Sequence, residues 1–321
     1  MNHDGSFGQA KAIIDSASGC GVDAVKFQTH IFEAESLPDA PAPEYFKSES
    51  RKDFFERTSF TMDEWKALKT HAKSIGLVFI SSPFSLEAID LLEEIGVEQY
   101  KIPSGEVSNT PLLEKAAKTG KRILLSSGMS CWEELDRAVN AIIKFNNNLT
   151  VLQCTSSYPC GYDEVGLNLI TEITKRYGHP AGLSDHTQTI YASLAAVAMG
   201  ATVIERHFTL SKEMYGPDAR FSLEPAQMRS LVEGIRAIEI MLNTRVDKDE
   251  RARGLGKMKI IFEKSIVAAC DMPEGSVLSL ENMAFKKPGD GIPAAQYESV
   301  AGRKLIRAVK KNHKFALEDF N

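Results

Sequence analysis

The stretch "AGLSDHTQTIYASLAAVAMGATVIERHFTL", residues 181–210, decides the fold. It runs from a small apolar segment into His186, through an alanine-rich helical segment, and back into an apolar segment that leads to His207. A strand–helix–strand unit of this length predicts two parallel strands whose carboxyl ends meet at one edge of a sheet. Imidazole is a common ligand of catalytic metals, so His186 and His207 are candidate metal ligands, although each alone would more often be a packed residue.

The same alternation of short β-rich runs and amphipathic helical segments extends from the start of the chain to about residue 245. Successive strand ends lie roughly 22 to 29 residues apart, which predicts an α/β fold of the (β/α)₈ TIM-barrel type, with a doubly wound open sheet as the alternative. Seven strands are predicted, at "DAVKFQTH", "LVFISSP", "EQYKIPSGE", "RILLSSGM", "LTVLQCTSSYP", "PAGLSDHT" and "VIERHFTL".

Local signals refine this pattern. Thr61 and Glu64 have the spacing of a capping box, Gly76 has the position of a C-terminal cap, and Ser130 is a candidate N-cap of the helix that follows it. Residues 31–58 are Pro-rich and charged, and they predict a long loop on the functional face.

The character of the chain changes after residue 245. We predict a barrel domain over 1–245, a charged, glycine-punctuated linker over 246–261, and a small β-rich domain over 262–321 whose "DMPEGSVL" and "KKPGDGI" are turn signatures.

Composition excludes several classes of protein. The 321 residues carry a formal net charge of −5 and a pI near 5.9, which give no electrostatic footprint for nucleic acid. Five cysteines, without any CxxC spacing, argue against a disulfide framework and favour a reducing cytoplasm. No apolar run is long enough to cross a membrane, and the first residues do not resemble a signal peptide.

Every predicted strand ends in polar residues, and in a TIM barrel those ends form the active site. Two lysines, several hydroxyls and two histidines would meet in one pocket, which suits an anionic, phosphorylated substrate beside a metal ion. We expect Lys26 and Gln28 to point to the same side of their strand, and likewise Ser104 and Glu106 if that strand continues so far.

These motifs resemble the sialic acid (N-acetylneuraminate) synthases and their relatives that make other nonulosonic acids. The resemblance covers nearly the whole chain and includes a carboxyl-terminal antifreeze-like (SAF) domain. It rests on "NHDG", "KFQT", "YKIPSGE", "SSGM", "CTSSYP", "GLSDHT", "ERHFTL", "GPDARFSLEP" and "KKPGDGI", in that order.

The resemblance implies an enzyme that condenses phosphoenolpyruvate with N-acetylmannosamine, or a related N-acetylated hexosamine, and releases phosphate. It implies that His186 and His207 bind Mn²⁺ or Mg²⁺, and that Lys26, Lys101 and Glu106 are catalytic with them. Phosphoenolpyruvate would be surrounded by Lys26, Ser82, Lys101, Ser104, Ser126, Ser156 and Ser184. The amino sugar would lie near Gln28, Glu106, Tyr158 and Asp218.

The sequence departs from the family pattern in two places. The family's first strand, with a Glu-Ile-Gly motif, precedes the Asn-His segment, whereas here Met1 stands directly before Asn2; we therefore expect the true start to lie upstream. Lys287 stands where relatives commonly have an arginine that reaches a neighbouring subunit's active site. That reach implies a domain-swapped homodimer.

Three alternatives remain open. The acceptor could be a 2,4-diacetamido-6-deoxyhexose, as in a legionaminate-type synthase. A Schiff-base aldolase could use Lys26 or Lys101 without a metal. A non-catalytic, sugar-binding remnant would bind without turnover.

Overall fold

Seven parallel strands form one curled sheet whose spatial order follows the sequence, in a computed structural model that describes residues 1–41 and 49–321. All seven predicted strands are present. This sequential order is that of a TIM barrel and not of a doubly wound sheet, in which the strand order reverses. In the described residues no ladder joins β1 to β7. The strands are β1 Ala24–Thr29, β2 Val78–Pro83, β3 Gln99–Ile102, β4 Arg122–Ser126, β5 Leu149–Cys154, β6 Ala181–Asp185 and β7 Ile204–Arg206.

Helices cover the outer face of this sheet, because their apolar stripes and the outward-facing strand residues bury each other. Tyr100, Ile123 and Val151 from the strands pack with Leu92 and Leu112 from the helices, and all five are buried. Each buried aliphatic side chain of this kind contributes about 1.5–3 kcal/mol. The helices are α1 Phe7–Gly19, α2 Phe32–Glu35, α3 Arg51–Thr58, α4 Met62–Ser74, α5 Leu86–Ile95, α6 Thr110–Lys118, α7 Trp132–Ile143, α8 Asn168–Tyr177, α9 Tyr191–Ala198 and α10 Pro225–Asn243.

The helix ends test the predicted caps. Thr61 and Glu64 form the capping box of α4, and Gly76 has the left-handed φ of +84° that its position requires. The predicted N-cap of α7 is wrong, since Cys131 and not Ser130 occupies that position. Glu134 accepts the Cys131 N–H at 2.9 Å, while the Ser130 hydroxyl donates to the Gly128 carbonyl.

Two connections differ from prediction. The expected loop over 31–58 contains α2 and α3, while its residues 42–48 lie outside the described part of the chain. The expectation that β3 continues through Ser104 and Glu106 is wrong: β3 ends at Ile102, and Ser104–Glu106 form a 3₁₀ turn. Pro103 lacks the N–H that would continue the ladder.

The chain divides into two units, Met1–Asn243 and Thr244–Asn321. In the second unit, β8 Ser265–Ala268 pairs antiparallel with β9 Met283–Lys286 over a small apolar core. The segment 246–261 is largely helical, with α11 Lys248–Gly254 and α12 Gly256–Phe262; α13 Tyr297–Val300 follows β9. No helix in the described residues is both long and apolar enough to span a membrane.

Candidate active site

His186 and His207 follow directly after the neighbouring strands β6 and β7. The residues just before them, Asp185 and Arg206, are partners in the strand register and form a buried ion pair on the outer face. Asp185 also accepts from the Ser193 hydroxyl at 2.5 Å and from the Thr187 N–H at 2.8 Å. Side chains alternate along a strand, so this outward-facing network fixes two strand ends whose next residues turn inward.

The two imidazoles predicted to bind a metal lie side by side. Their ring centres lie 5.3 Å apart, and two imidazole nitrogens on one ion at about a right angle would place the ring centres roughly 5 Å apart. The Thr155 carbonyl lies 2.9 Å from His186 Nδ1, which leaves Nε2 as the candidate ligand. No group of three or more His, Cys, Asp or Glu with metal-binding geometry occurs in the described residues.

Burial and local charge shift the pKa values of His186 and His207 in opposite directions. Burial lowers the pKa of His207 to about 4, which keeps the ring neutral and able to bind a metal near pH 7. Burial also disfavours the charged form of His186, but the hydrogen bond and charge of Cys154, together with the Thr155 carbonyl and the Glu205 charge, raise the pKa of His186. Cys154, at the end of β5, did not stand out in the sequence as a site residue.

Lys26 and Lys101 meet at one carboxylate, that of Glu205. Lys26 forms an ion pair with Glu205, and Lys101 Nζ lies 3.2 Å from the other Glu205 oxygen and 2.6 Å from Ser126 Oγ. Sequence reasoning placed Glu205 at a strand end but gave it no role. Burial lowers the pKa of Lys101, and the charge of Glu205 opposes that shift. This charged cluster and both histidines line one cavity of about 820 Å³.

The predicted serines lie at or just after the carboxyl ends of β2 to β6. Ser104 and Ser156 converge on Gly128, where an added Cβ would come within 2.5 Å of both hydroxyl oxygens. Glycine at this position therefore leaves space for the two hydroxyls, of which Ser104 Oγ donates to Cys154 Sγ at 3.5 Å. Ser82 Oγ is buried and has no partner among the described residues, so it retains a free donor. Ser184 lines the same cavity as the lysines.

Among the residues expected near the sugar, Tyr158 and Asp218 lie beside the two histidines. The Tyr158 ring lies 4.4 Å from that of His186, and Asp218 Oδ2 lies 4.0 Å from His207 Nδ1. Burial raises the pKa of Glu106, which bonds Asn109. Lys287 belongs to the second unit, where its ammonium lies 4.9 Å from the centre of the Phe262 ring.

Two known protein-family profiles match this chain. The profile of the NeuB family matches residues 13–247, and that of the SAF domain matches residues 263–313. The chain belongs to the NeuB family. The profile matches confirm both the resemblance and the antifreeze-like domain expected from the sequence.

Individual relatives agree with this assignment. The N,N'-diacetyllegionaminic acid synthase of Campylobacter jejuni is 39% identical over 97% of this chain and 95% of its own. The N-acetylneuraminate-9-phosphate synthase of Mus musculus is 34% identical over 97% of this chain and 88% of its own. The solved N-acetylneuraminic acid synthetase of Leptospira borgpetersenii is 29% identical, with a TM-score of 0.69 over 81% of this chain and 89% of its own.

Proposed function

We propose that this NeuB-family protein is a nonulosonic acid synthase that condenses phosphoenolpyruvate with an N-acetylated hexosamine and water, releasing phosphate. The observation that carries the proposal is the convergence of Lys26, Lys101 and Glu205 with the His186–His207 pair in one cavity. Ser184 adds a hydroxyl to the charged wall of this cavity.

The lysine side of the cavity suits the anionic substrate. Phosphoenolpyruvate has a carboxylate and a phosphate, and two ammonium groups in a partly dry pocket bind such groups far more strongly than in water. Glu205 keeps both lysines paired before the substrate enters. The hydroxyls of Ser82, Ser104 and Ser156 would then orient the anion by hydrogen bonds.

The histidine side suits a divalent ion, Mn²⁺ or Mg²⁺. Such an ion, when bound, acts as a Lewis acid on the aldehyde oxygen of the open-chain sugar. His186 and His207 would hold it, while Tyr158 and Asp218 limit the space beside it. Glu106, whose pKa burial raises, would exchange a proton with the acceptor.

We propose N-acetylmannosamine as the acceptor. The second candidate is a 2,4-diacetamido-6-deoxyhexose, which the 39% identity to a diacetyllegionaminic acid synthase favours. We also propose a cytoplasmic homodimer in which Lys287 contributes to substrate binding.

Product analysis tests the proposal. The protein is incubated with Mn²⁺, phosphoenolpyruvate and either acceptor, and the products are examined by mass spectrometry and NMR. A 2-keto acid three carbons longer than its acceptor supports the proposal and identifies the sugar. Pyruvate as the only new organic product with both acceptors would contradict it.

A further inference from the structure

His30, immediately after β1, is held between two aromatic rings. The ring centre of Phe55 lies 3.9 Å from that of His30 with an interplanar angle of 8°, and the ring centre of Phe84 lies 4.0 Å away at 23°. Only 6% of the His30 side chain is exposed. This stacking on both faces fixes the ring plane, so the directions of both ring nitrogens are fixed as well.

Both ring nitrogens meet oxygen acceptors. His30 Nδ1 lies 2.8 Å from Glu35 Oε1, and His30 Nε2 lies 3.1 Å from Gln28 Oε1. A carboxylate and an amide carbonyl accept but do not donate, so with Glu35 ionised and the Gln28 oxygen facing the ring, both ring nitrogens would carry a hydrogen, as in the imidazolium form. A neutral ring would require the Gln28 amide to turn and present its nitrogen to His30.

Acidic groups surround the His30 ring. The Glu35 side chain is only 8% exposed, and its second oxygen has no partner among the described residues. A buried carboxylate needs a nearby positive charge. Glu106 adds a second acidic group facing this cluster, since the Glu35 charge contributes, after burial, to the raised pKa of Glu106. Phe55 and Phe84 bring no titratable group.

Gln28 links this cluster to the cavity of the proposed active site. It lies two residues before His30 and two after Lys26, on the same side of β1, and it lines that cavity. In the described part of the chain no acceptor bonds its amide nitrogen. With its carbonyl bound to His30, Gln28 keeps its N–H donors for the two cavities that it lines, that of the proposed active site and a second one beside His30 and Phe55.

We propose that His30 and Glu35 are positioning residues for the acceptor sugar. Glu35 holds His30 as an imidazolium, His30 fixes the Gln28 carbonyl, and Gln28 consequently donates to a hydroxyl or acetamido oxygen of the sugar. This inference rests on the proposed function. The chain of contacts would select for acceptors that have an oxygen opposite the Gln28 amide nitrogen.

A double-mutant cycle tests the role of Glu35. In Glu35→Gln the ring loses its counter-charge, becomes neutral and lets the Gln28 amide turn, so KM for N-acetylated hexosamine should rise about tenfold, as expected for one lost hydrogen bond. KM for phosphoenolpyruvate and kcat should stay within about twofold, because the lysine side is untouched. In a Gln28→Ala background the same substitution should not change KM further. Asp15→Asn, which alters a surface histidine–carboxylate pair (His71–Asp15), is the matched control and should leave all three constants unchanged.

NMR tests the charge without requiring turnover. In ¹⁵N-histidine-labelled protein near pH 7, the His30 signals, assigned by their loss in His30→Gln, should show both ring nitrogens protonated, and Glu35→Gln should convert the ring to the neutral form. A ring with one bare nitrogen in the parent protein overturns the proposal, as does an equal effect of Glu35→Gln with and without Gln28. If no acceptor is turned over, the proposed function fails, and the His30 spectrum still decides this inference.

Discussion

Replacing Asp185 with asparagine should destabilise the barrel and loosen the histidine pair. The Asp185 and Arg206 side chains are 0% and 2% exposed. The substitution Asp185→Asn would leave the guanidinium buried without a counter-charge, and losing one partner of such a pair costs about 3–5 kcal/mol. For a unit of this size each kcal/mol lowers the Tm by about 2–4 °C, so the expected loss is roughly 10 °C. Calorimetry measures it directly.

A matched control and a rescue make the result decisive. The Asp136–Arg176 pair places two arginine nitrogens on one carboxylate, at 2.7 and 2.6 Å, but its side chains are 34% and 45% exposed. Asp136→Asn should therefore shift the Tm by less than about 2 °C. A double Asp185→Leu, Arg206→Met variant should recover most of the stability but not the metal affinity, because its apolar pair no longer orders the strand ends. A Tm for Asp185→Asn equal to that of the control would refute the reasoning.

Other parts of the molecule are open to four further tests. Lys101→Met should abolish phosphoenolpyruvate binding in calorimetric titration, whereas Lys66→Met, which alters an exposed pair with Glu94, should not; equal affinities would contradict the role of Lys101. Burial lowers the pKa of His3 from 6.5 to about 3. As the pH falls below 6.5, His3 therefore takes up a proton in the unfolded state before it does so in the folded state. The free energy of unfolding should fall by up to about 1.4 kcal/mol per pH unit in that range. His3→Gln should flatten that slope in denaturant titrations, and an unchanged slope would contradict the assignment. The Asp319 side chain is fully buried and pairs with the more exposed Arg307 and His313, so Asp319→Asn should lower the unfolding temperature of the second unit, while Asp271→Asn at an exposed pair should not. Borohydride with pyruvate should leave Lys26 and Lys101 unmodified by mass spectrometry, and a reduced adduct would favour the aldolase alternative.

The strands and their order could be predicted from the sequence because parallel β/α units repeat at a regular spacing and end in polar residues. The meeting of the two histidines and two lysines followed from that topology alone. Glu205 received no role, because alternation along β7 gives it an inward direction but not its two lysine partners. The His30–Glu35 contact was also missed, since Glu35 lies on a short helix inside a segment predicted to be a loop.

Departures within single elements have local causes. Ser130 is a good capping residue by type, yet Glu134 satisfies the Cys131 N–H from inside the helix. Pro103 ends β3 before Ser104, so Ser104 reaches the site from a 3₁₀ turn and meets Ser156 across Gly128. The approach of Ser104 and Ser156 to Gly128 depends on three separate segments. No single one of these segments has a sequence pattern that predicts it.

The central claim is that the lysines and the histidine pair form one site in which phosphate release depends on both the sugar and the metal. The most direct measurement is phosphate release from phosphoenolpyruvate, with and without N-acetylmannosamine or the diacetamido hexose, after chelation and after Mn²⁺ is restored. We predict release only when sugar and metal are both present, and its loss in His186→Ala and His207→Ala. Release that continues without the sugar, or that is unchanged after chelation, would contradict the account.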